Sequence, residues 1–196
     1  VVRLVKLLST SALETAKMGE RIGRLLEGGD VVAMTGVLGS GKSVLARGIM
    51  AGLGVASKMP SPSFVIVASY DGKYPVNHID LYRLENPDEA SAVGIEDMLY
   101  SDAISIIEWA EKIDKMLPPS RLDVMIELMG KPEERLVTLV PSDDAIGRRL
   151  LPLVTRPLGA EVGKNESGDR QSGKDEIGNA ESGSTESGGD RSGRGC

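Results

Sequence analysis

The chain has 196 residues, 40% of them apolar and 27% charged, and a formal net charge of −6. That length can bury the core of one domain with an appendage, and the acidic balance excludes a strongly basic nucleic-acid surface spread over the whole domain, while leaving RNA open as a partner's substrate. Cys196 is the single cysteine, which excludes an intrachain disulfide and a cysteine-based metal site and fits a reducing compartment; without a membrane-length apolar run or a signal-peptide layout, the reading is a soluble cytoplasmic protein.

Ser11-Ala12-Leu13-Glu14 reads as a capping box, and Met18, Ile22, Leu25 and Leu26 recur at helical spacing up to Gly28-Gly29-Asp30, so a first helix is expected over about 12–27. Val31 to Thr35 is an apolar run that feeds Gly36-Val37-Leu38-Gly39-Ser40-Gly41-Lys42-Ser43, which fits the phosphate-binding loop G-x-x-x-x-G-K-[ST]. A helix from Ser43 to Leu53 follows, ended by Gly54. Ser61-Pro62-Ser63 opens a β-branched and aromatic run, Phe64 to Tyr70, and Asp71-Gly72 is a hairpin turn signal before a second run, Val76 to Leu81, giving an expected antiparallel pair.

Asn86-Pro87-Asp88-Glu89 starts a short helix, because proline suits the first turn and the acids suit the helix dipole. Ala103 to Ile107 is almost unbroken in its apolarity, which predicts a strand buried on both faces in a central parallel position, ending in Glu108-Trp109. Another short helix runs to about Leu117 and is closed by Pro118-Pro119; Leu122–Leu128 and Arg135–Val140 form a terminal hairpin across Gly130-Lys131-Pro132; and Ser142–Leu150 forms a last helix. The expected organisation is an ordered domain over residues 1–157 and a Gly/Ser/Glu-rich, disordered tail over 158–196, whose composition cannot bury enough surface to offset the entropy of ordering.

A loop that wraps a polyphosphate needs successive backbone N–H groups close to the oxygens, which the glycines at 36, 39 and 41 allow, with Val37, Leu38 and Ser40 completing the turn. Lys42 supplies a point charge to the β- and γ-phosphates, and the Ser43 hydroxyl at the helix start is placed to ligate Mg²⁺. Hydrolysis or transfer also needs an acid at the carboxyl end of a neighbouring strand. Glu108 and Asp80 both qualify, and Glu108, at the end of a buried strand, is expected at an open rim facing a cation. His78 lies two residues before Asp80 and could steer it, though a packed, hydrogen-bonded histidine is the favoured reading. Trp109 could touch a nucleotide or cover a sheet edge, Ser63 could sense the γ-phosphate as switch loops do, and Arg83 could reach phosphate or remain a surface residue.

These segments, with His78-Ile79-Asp80-Leu81-Tyr82-Arg83-Leu84, Gly94-Ile95-Glu96, Ile107-Glu108-Trp109 and Leu117-Pro118 in that order, closely resemble the TsaE (YjeE) family over about residues 8–150. The resemblance implies an α/β fold of the P-loop NTPase-like three-layer sandwich type, with a mixed, mainly parallel central sheet and an antiparallel hairpin. It implies an ATPase that uses ATP and Mg²⁺ while bound to a TsaB–TsaD heterodimer, reaching tRNA through that complex in the threonylcarbamoyl modification of adenosine 37 in tRNAs reading codons that begin with A. By the family's pattern Lys42 and Ser43 serve phosphate and metal, Glu108 belongs to the metal site, Asp80 is needed for hydrolysis, and Trp109 lies near the nucleotide. Ser61-Pro62-Ser63-Phe64 corresponds to a switch-like loop that usually reads Ser-Pro-Thr, Ser63 keeping the hydroxyl but losing the methyl. Ser11 and Arg135 are loosely expected to border the base. Two alternatives stand beside this reading: a small-molecule phosphotransferase, for which Arg148-Arg149 are the available lid arginines, and a non-hydrolysing nucleotide-gated adaptor. A GTP-specific switch is disfavoured because Glu111-Lys112-Ile113-Asp114 lacks the asparagine of Asn-Lys-x-Asp.

Overall fold

A computed structural model describes residues 4–56 and 66–155. The expectations for Ser61–Phe64, Ser63 among them, and for the tail over 158–196 lie outside the described residues.

A seven-stranded sheet organises the chain: β1 (Val5–Ser9), β2 (Val31–Thr35), β3 (Val67–Asp71), β4 (Pro75–Asp80), β5 (Ile104–Glu108), β6 (Leu122–Leu128) and β7 (Arg135–Pro141), in spatial order β1-β7-β6-β2-β5-β4-β3. β6, β2, β5 and β4 pair parallel, β3 joins β4 as the expected antiparallel hairpin, and β7 and β1 extend the other side antiparallel. Five of the seven strands therefore share one direction. Every residue of β5 is buried, as its unbroken apolar run requires of a strand covered on both faces.

The helices cover the sheet in two layers. On one face α1 (Ala12–Gly23), α2 (Lys42–Gly52), α5 (Asp144–Arg149) and α6 (Leu151–Thr155) bury Met18, Ile49, Ile146 and Leu153 against Val32, Met34 and Ile106. On the other, α3 (Pro87–Ala92), α4 (Ile95–Leu99) and a 3₁₀ helix (Ala110–Met116) bury Ala90, Ile95 and Ile113 against Val31, Ala33 and Ile107. The strand alternation of Val31, Val32, Ala33 and Met34 sends successive side chains into the two cores. The result is a P-loop NTPase-like three-layer sandwich with a mixed sheet.

Several local expectations are corrected. Residues 5–9 form an edge strand where no element was anticipated, and β1 exists because β7 offers it a pairing partner from Leu139 to Arg135. α1 ends at Gly23 rather than near 27, since Leu25 and Leu26 donate to Ile22 and Gly23 in tight turns. The capping box is displaced by one residue: Ser11 Oγ accepts from Glu14 N–H, but the Glu14 carboxylate accepts from Thr10 N–H. The expected last helix is α5, and α6 follows it at Leu151–Thr155 where no element was expected; the expected short helix after Glu108 is of the 3₁₀ kind.

α1 and α2 cross at backbone contact. A Cβ on Gly48 would stand 2.2 Å from the Ala16 carbonyl oxygen, one on Gly52 2.2 Å from that of Glu20, and one on Gly19 2.4 Å from that of Leu45. No side chain larger than hydrogen fits these positions without separating the helices. Gly48→Ala is accordingly expected to cost about 2 kcal/mol by overpacking, seen as a lower urea midpoint. Gly130→Ala, where a Cβ meets nothing within 4 Å, should change stability by less than about 0.5 kcal/mol.

Candidate active site

The turn from Gly36 to Gly41 leaves the carboxyl end of β2 and delivers the chain into α2. Gly41 stands at the helix N-cap with φ +106°, a conformation a side-chain-bearing residue adopts only under strain, and no side chain caps the helix. Val44 N–H already donates to the Gly41 carbonyl at 3.1 Å, so the N–H groups of Lys42 and Ser43 are the ones that face outward, with the positive end of the helix dipole behind them. Ser40 is buried, its Oγ has no partner among the described residues, and its carbonyl accepts from Arg135 Nε at 2.9 Å.

Lys42 is 4% exposed and folds back on the turn that would bind phosphate. Its Nζ donates to the Gly36 carbonyl at 2.6 Å and to that of Val37 at 3.0 Å, and lies 3.6 Å from the centre of the Trp109 ring. Burial lowers its pKa, opposed by the negative charges of Glu108, Glu111 and Asp80. Trp109 itself has φ +62°, the one positive φ outside glycine among the described residues, and its ring meets that of Tyr82 at 5.1 Å between centroids. The indole therefore sits beside the phosphate loop rather than capping a sheet edge.

The parallel register sets the two acids side by side. Asp80 on β4 and Met34 on β2 are both Cα partners of Glu108 on β5, so the carboxylates leave adjacent strands on the face that carries α2. Glu108 is not at an open rim, in contrast to the sequence expectation: it is 2% exposed. Its burial is tolerated because both oxygens are engaged, Oε2 accepting from Ser43 Oγ at 2.7 Å and Oε1 facing His78 Nε2 at 2.9 Å. His78 is hydrogen-bonded as favoured, yet its partner is Glu108 rather than Asp80. Strand spacing places His78 on the Asp80 face; only the β4–β5 register reveals the diagonal contact. Asp80 accepts from Tyr82 N–H at 3.0 Å, and its pKa is raised, chiefly by burial with a further contribution from the Glu108 charge.

A hydroxyl and a carboxylate oxygen are hard donors that suit Mg²⁺. No group of three or more His, Cys, Asp or Glu that could hold a metal occurs among the described residues, which matches the habit of Mg²⁺ to take one or two protein oxygens and complete its shell with phosphate and water. The donor set fits.

Other expected residues are placed as follows. Arg135 spends its donors on backbone carbonyls of Ser40, Pro132, Glu134 and, at 3.5 Å, Gly39, so it braces the phosphate loop from β7. Ser9 pairs with Arg135 across β1–β7, which brings the α1 start, where Ser11 is the N-cap, to the same end of the sheet. Arg83 is exposed. Arg149 is bound by both Nη atoms to Asp30, each at 2.8 Å, and by Nη1 to Glu27, which commits Arg149 to a structural ion pair, while Arg148 is exposed. Lys112, unforeseen in the sequence, donates to the carbonyls of Tyr82 and Leu84, stapling the segment after Asp80 to the 3₁₀ helix. The lysine of Glu111-Lys112-Ile113-Asp114 is thereby occupied.

The family model described as "Threonylcarbamoyl adenosine biosynthesis protein TsaE" matches residues 9–137. Among similar proteins, the tRNA threonylcarbamoyladenosine biosynthesis protein TsaE of Treponema pallidum is 33% identical over 126 residues, covering 64% of this chain and 93% of its own length. The protein of that name from Bacillus subtilis is 34% identical over 137 residues, covering 69% and 82%. The crystal structure of YdiB from Bacillus subtilis superimposes with a TM-score of 0.66 at 26% identity, covering 79% of this chain and 97% of that one.

The raised Asp80 pKa carries a sign for stability. The native state holds the Asp80 proton to higher pH than the unfolded chain, so ionisation of this carboxyl subtracts stability as pH rises through its native pKa, and nothing is subtracted below the ordinary carboxylate range. Asp80→Asn keeps the acceptor for Tyr82 N–H and should raise Tm at neutral pH by about 1–3 °C, an advantage that fades toward a pH of about 4 in a thermal melt series.

Proposed function

This chain belongs to the TsaE family, and on that premise we propose that it is a Mg²⁺-dependent ATPase of tRNA threonylcarbamoyladenosine biosynthesis, working with a TsaB–TsaD heterodimer and reaching tRNA through that complex. The observation that carries the reading is the 2.7 Å contact between Ser43, at the mouth of the glycine turn, and Glu108, with Asp80 in register beside it. A glycine turn, a hydroxyl and two carboxylates from adjacent strands lie at one end of the sheet, the set of groups that a triphosphate and its cation would require.

In this reading the triphosphate occupies the turn, its oxygens taking the first-turn N–H groups of α2. Lys42 exchanges its present acceptors, the carbonyls of Gly36 and Val37, for β- and γ-phosphate oxygens. Ser43 and Glu108 would hold Mg²⁺, which would offset the negative charge of the triphosphate. Asp80 orients the attacking water and draws on its proton as the water oxygen bonds to the γ-phosphorus and the bond to ADP breaks. Its raised pKa, caused chiefly by burial, makes its carboxylate a stronger base than an ordinary aspartate. Trp109, already against Lys42, lines the nucleotide side of the site. Most of the rate enhancement is then positioning and electrostatics, and if the partner completes the site the isolated protein is expected to turn over slowly.

Phosphate release from Mg·ATP tests this directly. The isolated protein should turn over slowly and accelerate with TsaB–TsaD; equal rates with and without the partner would overturn partner control. Asp80→Asn should bind Mg·ATP normally and lose about 100-fold in kcat. Glu108→Gln should instead shift the magnesium requirement upward by about 10-fold or more.

A further inference from the structure

His78 is the only histidine of the chain, and the mechanism above leaves it without a task. It is 1% exposed, in the middle of β4, held by backbone pairing to Ala68 on one side and Ile106 on the other. Its Nε2 faces Glu108 Oε1 at 2.9 Å while Ser43 takes Oε2. The two neighbours of the carboxylate differ in kind. Ser43 is an exposed residue in the first turn of α2 whose hydroxyl can rotate, and a cation drawn to Ser43 and Glu108 competes for that same pair of oxygens. The imidazole, by contrast, is buried, and the His78 backbone is paired on both sides within the sheet.

Its other nitrogen strengthens the case. With Nε2–H donating to the carboxylate, Nδ1 is a buried acceptor, and it has no partner among the described residues. A histidine present only for packing would be expected to satisfy both nitrogens or give way to an apolar side chain; here the ring is aimed at one oxygen of Glu108 and the rest of it goes unrewarded. Hydrogen-bonded neighbours of a metal-binding carboxylate set its orientation and basicity, and their loss weakens metal binding without touching the ligand itself.

We propose that His78 is a positioning residue that locks the Glu108 carboxylate in the rotamer facing Ser43, presetting the oxygen pair that receives the divalent cation of the nucleotide. The inference rests on the reading of Ser43 and Glu108 as the Mg²⁺ site. It assigns His78 to Glu108 and leaves Asp80 to its own hydrogen bond with Tyr82.

The test is an equilibrium titration of a fluorescent ATP analogue at varied Mg²⁺, with metal-free binding of the same analogue as the control for an intact phosphate loop. His78→Leu should raise the Mg²⁺ concentration for half-maximal effect by about 10-fold or more, leaving metal-free affinity within about 2-fold of wild type. His78→Gln, whose amide can reach Oε1, should restore the Mg²⁺ requirement, whereas the shorter His78→Asn should not; that pair decides the matter if the leucine variant does not fold. An unchanged Mg²⁺ requirement in His78→Leu, or Gln and Asn variants that behave alike, overturns the inference and leaves the functional reading standing. A wild type whose nucleotide binding ignores Mg²⁺ overturns both.

Discussion

Parallel pairing of β5 with β2 on one side and β4 on the other is the constraint on which this molecule turns. In a parallel ladder, residues at matched positions point to the same face, so a register that sets Asp80 against Glu108 and Glu108 against Met34 also sets both carboxylates at the carboxyl ends of the strands, toward α2. β2 runs on from Met34 and Thr35 into the glycine turn, so the acids and the turn share one end of the sheet. A slip of one residue in either pair would turn a carboxylate into the opposite core, where Ile107 and Ile79 now lie. The apolar filling on both faces of β5 is what makes such a slip costly.

The second fixture is the glycine crossing of α1 and α2. Hydrogen is the only side chain small enough at Gly19, Gly23, Gly48 and Gly52, so the two helices meet backbone to backbone. Ser43 sits in the first turn of that helix, and its hydroxyl reaches a carboxylate on the sheet at 2.7 Å. Helix packing far from the turn thus sets a distance within it. Arg135 does similar work from the other side, holding the Ser40 carbonyl from β7.

The region of the candidate site departs from what stability alone would select. Lys42 and Glu108 are charged and buried, Trp109 holds a backbone conformation that costs on the order of 1–3 kcal/mol, and His78 Nδ1 and Ser40 Oγ lack partners among the described residues. Such departures gather where local rules give way to function. Lys42 rests on the carbonyls of the turn and the face of Trp109.

Much of this was legible one residue at a time. The unbroken apolar run of β5, the Asp71-Gly72 turn and the Asn86 cap each follow from local preference and burial, which is why the parallel centre of the sheet, its antiparallel hairpin and the start of α3 could be read from the chain. What stayed hidden depends on pairs far apart in sequence. β1 is a strand because β7 completes it, α1 lies directly on α2 because its glycines admit the Leu45 and Ile49 backbone, His78 meets Glu108 because two strands lie in one register, and Arg135 braces a loop 95 residues away. Sequence determined which groups are present and the local conformations they favour; tertiary structure alone decided which of them touch, because a hydrogen bond between residues on different strands is set by register and packing, and no local propensity encodes either.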